Sequence, residues 1–589
     1  MPDQTQQQTV ICQGGLDNSE NHLALSDGKE GVAARLVNYE VGEFGGYRRL
    51  EGYSYLNTAG NNNTAETNST VPGTGSILGV FIYRDLYDLA NDVIALRQVA
   101  GQSYYSVWKM RQVDGVGNTW FNISDGGKLN NEASQNYRPT ATGVDRVHIT
   151  KFNDDEGNKI CITDGVNPAV IYWNTTGGHN FQQIVSTGNK NSTNTAASPP
   201  AASSGSNDGY GGDQAINKPK CSAFYKTSLY LGGDGSNDQP ASVVAYSAAA
   251  DIYDFSASGG AAQIPVDVDV VNMMPFRDDL YVFGRTGIKR IKQSGTDIIA
   301  ENVTRNLGCV APDSVVEIGG DLIFLAQDGF RPVAGTARIG DIELETLSKS
   351  IQSDLIHLSS TYDLDRMVSV VIPSKAQVRY FLNAATPTDI SVADAPGFIG
   401  GLRTEDNTTG WEWGRIQGIQ ANCTDSGYIR NSEYIVHGDH AGKIYQQEVG
   451  SDFNGADITA IYETPYIDMG DPLVRKTIRK VDAFIRAEGT MTMGLTLDFD
   501  YGDPDLFRPA DLSSITEGAI SEFGRAGVTY VDDADDASIF LYGGQTKPVL
   551  SYQISGSGHS VQFRFISSGT FAPYSIQGLI LKFTTSGKQ

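Results

Sequence analysis

The sequence predicts an all-β protein: a β-propeller with a smaller antiparallel β-sandwich, or platform, formed mainly by the C-terminal region plus the N-terminal segment. Three observations predict it. Gly is abundant at 66 residues, and Tyr and Phe together reach 28 + 23 = 51, a mixture of turn formers and strand formers that points to many short strands. Strand-turn-strand units with a shared pattern recur every ~40–50 residues, the spacing of propeller blades. From about residue 458 the pattern changes to longer strands of a different register.

Residues 1–60 form a lead-in segment expected to pack on the platform. Its glycines are paired, Gly14-Gly15 and Gly45-Gly46. Residues 57–76 are Asn-, Thr- and Gly-rich and read as a loop. Residues 61–457 are assigned to the propeller. Alternation marks strands at Leu78–Tyr83, Asp92–Leu96 and Tyr104–Lys109, with Trp120-Phe121 after a Gly/Asn turn. A second unit runs through Arg146–Thr150, Asn158–Thr163 and Ala169–Trp173, with the hairpin dipeptide Asp164-Gly165 between the last two. Residues 174–218, rich in Asn, Thr, Ser, Gly and Ala and containing Pro199-Pro200, read as a long exposed insertion.

Weak repeats follow. Leu229-Tyr230-Leu231, Leu280-Tyr281-Val282 and Leu322-Ile323-Phe324 occupy equivalent places, with steps of 280 − 229 = 51 and 322 − 280 = 42 residues. Further units lie at Met367–Val371 with Val378–Leu382, and at Glu433–Val436 with Lys443–Tyr445. Six or seven such units fit between about 77 and 450. Each would bury its faces against its neighbours alone. One stretch has helical spacing, with Leu347, Ile351, Leu355 and Ile356 on one side. Residues 458–589 read as the sandwich, with strands at Met491–Phe499, Val549–Ile554, Val561–Ile566 and Ile576–Phe583.

Charge and cysteine content exclude some functions. The net charge is −25, against the basic footprint of a nucleic-acid reader. Such acidity fits solubility, or a surface that must not hold polyanions. The five cysteines (Cys12, Cys161, Cys221, Cys309, Cys423) are far apart and odd in number, which indicates neither a zinc site nor a disulfide framework and fits assembly in a reducing cytoplasm. No apolar run approaches the ~20 residues of a membrane helix, and the N-terminus lacks the pattern of a signal peptide, so no membrane insertion is expected.

No catalytic constellation, cofactor cradle or metal site is expected. His437 and His440 are the close pair of possible ligands, but they fall on different sides of a turn, and zinc needs three or four converging groups. Asp498, Asp500, Asp503 and Asp505 resemble a calcium loop superficially, yet Pro509 stands where the distal Glu belongs. Residues 498–540 carry 11 acidic and 2 basic side chains and suit a solvated face or part of a lumen. No GxxxxGK[ST] occurs and no GxGxxG opens a helix. Glu412 between Trp411 and Trp413 could suggest a sugar-cleaving carboxylate, but no second acid can be placed beside it. Two basic clusters, Lys289-Arg290-Lys292 and Arg475-Lys476-Arg479-Lys480, are either solvated strand faces or a docking surface for an acidic partner or a neighbouring subunit.

Several stretches in order resemble one family. These are the Gly14-Gly15-Leu16-Asp17 opening with its Asn38, Gly45-Gly46, Arg48-Arg49 and Gly52-Tyr53 close, then Val244–Ser247 with Asp251–Phe255, Leu280–Phe283 with Gly287-Ile288, Gly308–Val315 before Asp321–Gly329, Tyr462–Tyr466 with Arg475-Lys476, and Gln577–Phe583. Their order is similar to the tail nozzle, or tail hub, proteins of short-tailed bacteriophages. The resemblance implies a non-enzymatic virion protein that is assembled in the host cytoplasm and forms a homo-oligomeric ring, usually of six copies. It implies a tail adaptor protein above the ring, tail fibre or spike proteins as further partners, and genomic DNA passing through the lumen without sequence recognition. Arg48, Arg49, Arg475, Lys476, Arg479 and Lys480 are the candidate interface residues. The alternative is a receptor- or glycan-binding tail protein that uses a propeller face, with a propeller glycoside hydrolase behind it.

Overall fold

The second strand of each repeated unit is buried on both faces. Ser228–Asp234 and Gln377–Asn383 have no exposed residue, and Leu229, Leu280 and Leu322 are fully buried at equivalent places. Strands covered on both faces need neighbours on both sides, which a stack of blades provides. The computed structural model describes residues 5–585, apart from 57–68, 85–90, 130–135, 187–209, 334–345, 503–511, 518–527, 532–538, 543–548 and shorter breaks.

Seven blades are present among the described residues. They span 74–122, 148–185, 219–265, 270–304, 316–332, 363–417 and 423–447. Seven apolar clusters close the circle, each shared by two successive blades. Phe81 and Leu96 meet Ile162 and Tyr172; Cys161 and Ile171 meet Leu229 and Leu231; Tyr230 and Val244 meet Val270 and Val282. Phe283 and Ile288 meet Leu322 and Phe324; Phe330 meets Tyr380 and Trp413; Val370 and Phe381 meet Ile435 and Tyr445. Val436 and Ile444 then return to Val80 and Val93 of the first blade.

The N-terminal segment supplies five strands: β1 (Gln6–Ile11), β2 (Arg35–Val37), β3 (Tyr39–Val41), β4 (Tyr47–Arg49) and β5 (Tyr53–Tyr55). β5 is the outer strand of the seventh blade, pairing Tyr53 with Gln447 and Tyr55 with Tyr445. The other four serve the sandwich. One sheet runs β3, β4, Tyr574–Thr585, Lys476–Ala487, Val549–Gly558, with β1 also on Tyr574–Thr585. The other runs β2, Ile458–Glu463, Val561–Gly569, Met491–Phe499, Leu512–Glu517. In Met491–Phe499 buried and half-buried residues alternate strictly, as expected of a strand with one face in a sandwich core.

The two parts share a sheet. β2 pairs in parallel with the outer strand of the sixth blade (Val37 with Arg415), so nine strands run from that blade into the sandwich. One apolar cluster likewise joins Phe330, Tyr380 and Trp413 of the propeller to Tyr39, Tyr462, Val481 and Phe565.

Two expected boundaries need correction. The insertion expected at 174–218 is too wide. Gly178–Val185 is a strand of the second blade and Tyr210-Gly211 pairs with it; 187–209 lies outside the described residues. The loop expected over 57–76 gives up Thr74–Ser76 to the first blade, and 57–68 lies outside the described residues. The expected helix is α1 (Gln352–Thr361), preceded by a 3-10 turn at Lys349–Ile351.

Candidate functional site

The paired glycines of the opening motif converge on one ion pair. Gly14 N–H donates to Glu412 Oε1 at 2.8 Å, and Arg403 holds the same carboxylate at 2.7 and 3.0 Å. Arg403 also donates to the carbonyl of Gly46 at 2.9 Å, so the two glycine pairs share a clamp. Gly15 N–H donates to the Tyr47 hydroxyl at 2.9 Å and Leu16 N–H to the Trp413 carbonyl at 2.7 Å. Close approach explains the residue type. Gly15 has φ +71°, and a Cβ there would lie 2.7 Å from Trp413 N; at Gly46, φ +77°, it would lie 2.1 Å from the Ile576 carbonyl oxygen. Asn38, with φ 57°, donates from its amide to the carbonyls of Gln417 and Thr459 and accepts from Gln417 N–H, which sews the sixth blade to the sandwich.

A buried ionic network extends the clamp. Glu40 receives Arg48 at 2.7 Å, Lys375 at 2.8 Å and Arg379 at 3.3 Å. Arg48 also reaches Glu51 and Glu488, both at 2.6 Å. Lys375 and Arg379 both pair with Glu448. Burial by itself would raise the Glu448 carboxyl, but the attraction of Arg379 and Lys375 outweighs it and holds the group well below the usual carboxylate range. The network touches the N-terminal segment, two blades and the sandwich.

The propeller axis is the second site. The inner strands surround a cavity of about 410 Å³. Arg146 crosses it, donating to the carbonyls of Asp365 (2.6 Å), Arg366 (3.2 Å) and Met367 (3.0 Å) and pairing with Asp313 at 2.7 Å. His148 Nδ1 lies 3.2 Å from Asp313, and Lys151 pairs with Asp425, which also accepts Ile82 N–H at 2.7 Å. These pairs brace the second blade against the fifth, sixth and seventh.

The structure separates the six expected interface residues. Arg49 is 0 % exposed and donates to the carbonyls of Phe571, Gly569 (2.6 Å) and Ile458 (3.3 Å). Lys476 is equally buried, its ammonium on the carbonyls of Asp468 and Asp471 and 3.4 Å from that of His559. Both are therefore corrected from surface contacts to internal ties: carbonyls far off in sequence take up the donors of Arg49, and those of the preceding loop take up most of Lys476's. Arg48 is likewise spent on three carboxylates. Arg475 and Arg479 are exposed, and Lys480 pairs with Asp482 at 2.9 Å. In the other basic cluster Lys289 pairs with Asp267, Arg290 with Asp279 and Glu301, and Lys292 with Glu301.

The remaining candidates fall into place as structural residues. His437 is buried against Tyr53 and Tyr445, and burial with help from Arg379 drives its pKa down to about 3. His440 instead contacts Ser76 (2.9 Å) and Asn383 (3.3 Å). No group of three or more metal-ligating side chains occurs among the described residues. Asp500 accepts the N–H groups of His559 (2.7 Å) and Ser560 (2.8 Å), while Asp503 and Asp505 lie outside the described residues, as does most of 498–540. The channel braces are what sequence reasoning missed; Arg146 immediately precedes the strand that His148 opens, but their partners are set by ring closure.

No family model matches the chain, and no curated protein matches it. Solved structures do. An ancestral GH74 enzyme is 9% identical with TM-score 0.35, over 71% of this chain and 50% of that one. An exo-β-1,3-galactanase from Phanerochaete chrysosporium is 9% identical with TM-score 0.23, over 91% and 100%. The extracellular domain of a one component system from B. thetaiotaomicron is 8% identical with TM-score 0.32, over 70% and 41%. The chain thus spans half or less of two of these three. Likeness at this level does not bear on what the chain binds or cleaves.

Proposed function

We propose that the chain is a non-enzymatic structural subunit, a nozzle protein of a short-tailed phage that builds a ring around a DNA conduit. The observation that carries this reading is the use made of the opening motif. Its glycines and Asn38 join propeller and sandwich, Arg48 enters the Glu40 network that does the same, Arg49 ties the two sheets of the sandwich together and Tyr53 extends the seventh blade. That suits a part that bears load. The order of motifs along the chain supports the family, and a net charge of −25 suits a surface along which DNA slides. Native mass measurement and electron microscopy of the purified chain test it: rings are expected, and particles of the phage should show the chain in the tail. A chain placed outside the tail refutes the reading.

A second reading rests on the cavity on the propeller axis. Asp313, Glu317 and Asp425 line it, and paired carboxylates are the tools of glycoside cleavage. Against it, Asp313 and Asp425 are tied to Arg146, His148 and Lys151. Incubation with bacterial surface polysaccharides decides between the two. Turnover that Asp313→Asn abolishes would establish the hydrolase; saturable binding without turnover would establish the glycan-binding module.

A further inference from the structure

We infer that the outward face of the sandwich sheet around Arg475 and Arg479 is a docking surface for the acidic surface of a second copy of this chain. This rests on the ring reading above and names the surface that reading requires.

Register slips on both sides of strand Lys476–Ala487 between Ile478 and Lys480, so Arg479 sits at a β-bulge and is exposed. Bulges re-aim side chains. Arg475, the residue just before this strand, is also exposed, its guanidinium on the Ser557 hydroxyl (3.1 Å) and carbonyl (3.4 Å). Lys480 and Lys582 flank them at 2.9 and 2.8 Å from Asp482. Beside this cationic strip stands Leu473, 84 % exposed. The buried ammonium of Lys476 ties Asp468, Asp471 and His559 together beneath the loop, so the tip is held. The carboxylates of Asp468 and Asp471 accept N–H groups of their own turns, Gly470 (3.1 Å) and Leu473 (2.9 Å).

Carboxylates outnumber Lys and Arg by 69 to 44, and cations elsewhere on the sheets, such as Lys289, Arg290 and Lys292, are paired. Arg475 and Arg479 form no ion pair among the described residues. Two exposed guanidinium groups without a carboxylate partner, beside an apolar tip, suit an interface, where Arg is enriched over the rest of the surface. The complementary surface is acidic, and the chain itself supplies one at −25 per copy. A cationic patch meeting a different, acidic patch is a head-to-tail contact, the kind that closes into rings.

The test uses the full chain. Light scattering and native mass spectrometry are run at ~0.05 M and ~0.5 M NaCl on wild type, on Arg475→Glu/Arg479→Glu and on Leu473→Asp. The wild type should assemble, more weakly at high salt. Both variants should fall to monomer or lose at least tenfold in assembly affinity, with melting temperatures equal to that of the wild type when all are compared as dissociated chains, because the side chains are exposed. Lys292→Glu serves as a control and should assemble normally. If wild type assembles and the double variant assembles equally well, the docking surface is wrong and the ring stands. If wild type stays monomeric, both fall.

Discussion

Glu40 receives three cations from different parts of the fold, and its removal would leave Arg48, Lys375 and Arg379 partly unpaired in a buried site. Glu40→Ala is expected to cost about 3–5 kcal/mol, read by urea unfolding. Gly15→Ala is expected to cost roughly 2 kcal/mol or more, since φ +71° is combined with a Cβ 2.7 Å from Trp413 N. Acid should destabilise the chain. His437 falls from 6.5 to about 3 on folding, and Glu448 is also depressed, so the folded state binds fewer protons. Their contributions are complete above the unfolded values and fade as pH drops toward the folded ones. At pH 5 His437 alone accounts for about 2 kcal/mol relative to pH 7. Thermal melts from pH 7 to pH 4 check this, and His437→Leu should flatten the upper part of the decline. At this scale the sequence was least informative. Arg48-Arg49 reads as a surface pair, whereas the carbonyls that bury Arg49 lie at 458, 569 and 571 and are brought in by tertiary structure alone.

Strands were more legible than side chains. The Leu229, Leu280 and Leu322 repeats mark the second strand of three successive blades, because a position buried on both faces tolerates only apolar residues. Composition misled at 174–185. Asn, Thr and Gly there suggested a loop, yet Phe181 and Ile184 are fully buried in a blade strand. The place of β5 could not be read from three residues, Tyr-Ser-Tyr, without knowing that an edge waited at Ile444–Gln447. That edge gives a prediction. Removing residues 1–56 should uncover Ile444–Gln447 and one side of Tyr574–Thr585, and the truncated chain should aggregate. Soluble, fully protected protein in hydrogen exchange would refute this.

Propeller and sandwich share a nine-stranded sheet, an apolar cluster and the Glu40 network, so they should not melt separately. Calorimetry is expected to give one transition for the purified protein under conditions that dissociate any oligomer; two resolved transitions would show that the shared sheet does not couple them. The class of fold was legible at this scale because its evidence, spacing and composition, is spread over hundreds of residues. The number of blades was not, since the last one borrows a strand from the other end of the chain.

That borrowed strand has a consequence for biosynthesis. Tyr53 leaves the ribosome 447 − 53 = 394 residues before its partner Gln447, and Gln6 waits 583 − 6 = 577 residues for Phe583. The first strands made are among the last to find their places, and contacts so distant in sequence form slowly. A prematurely terminated polypeptide cannot complete the circle, so only a finished translation product can present the intact body to its neighbours.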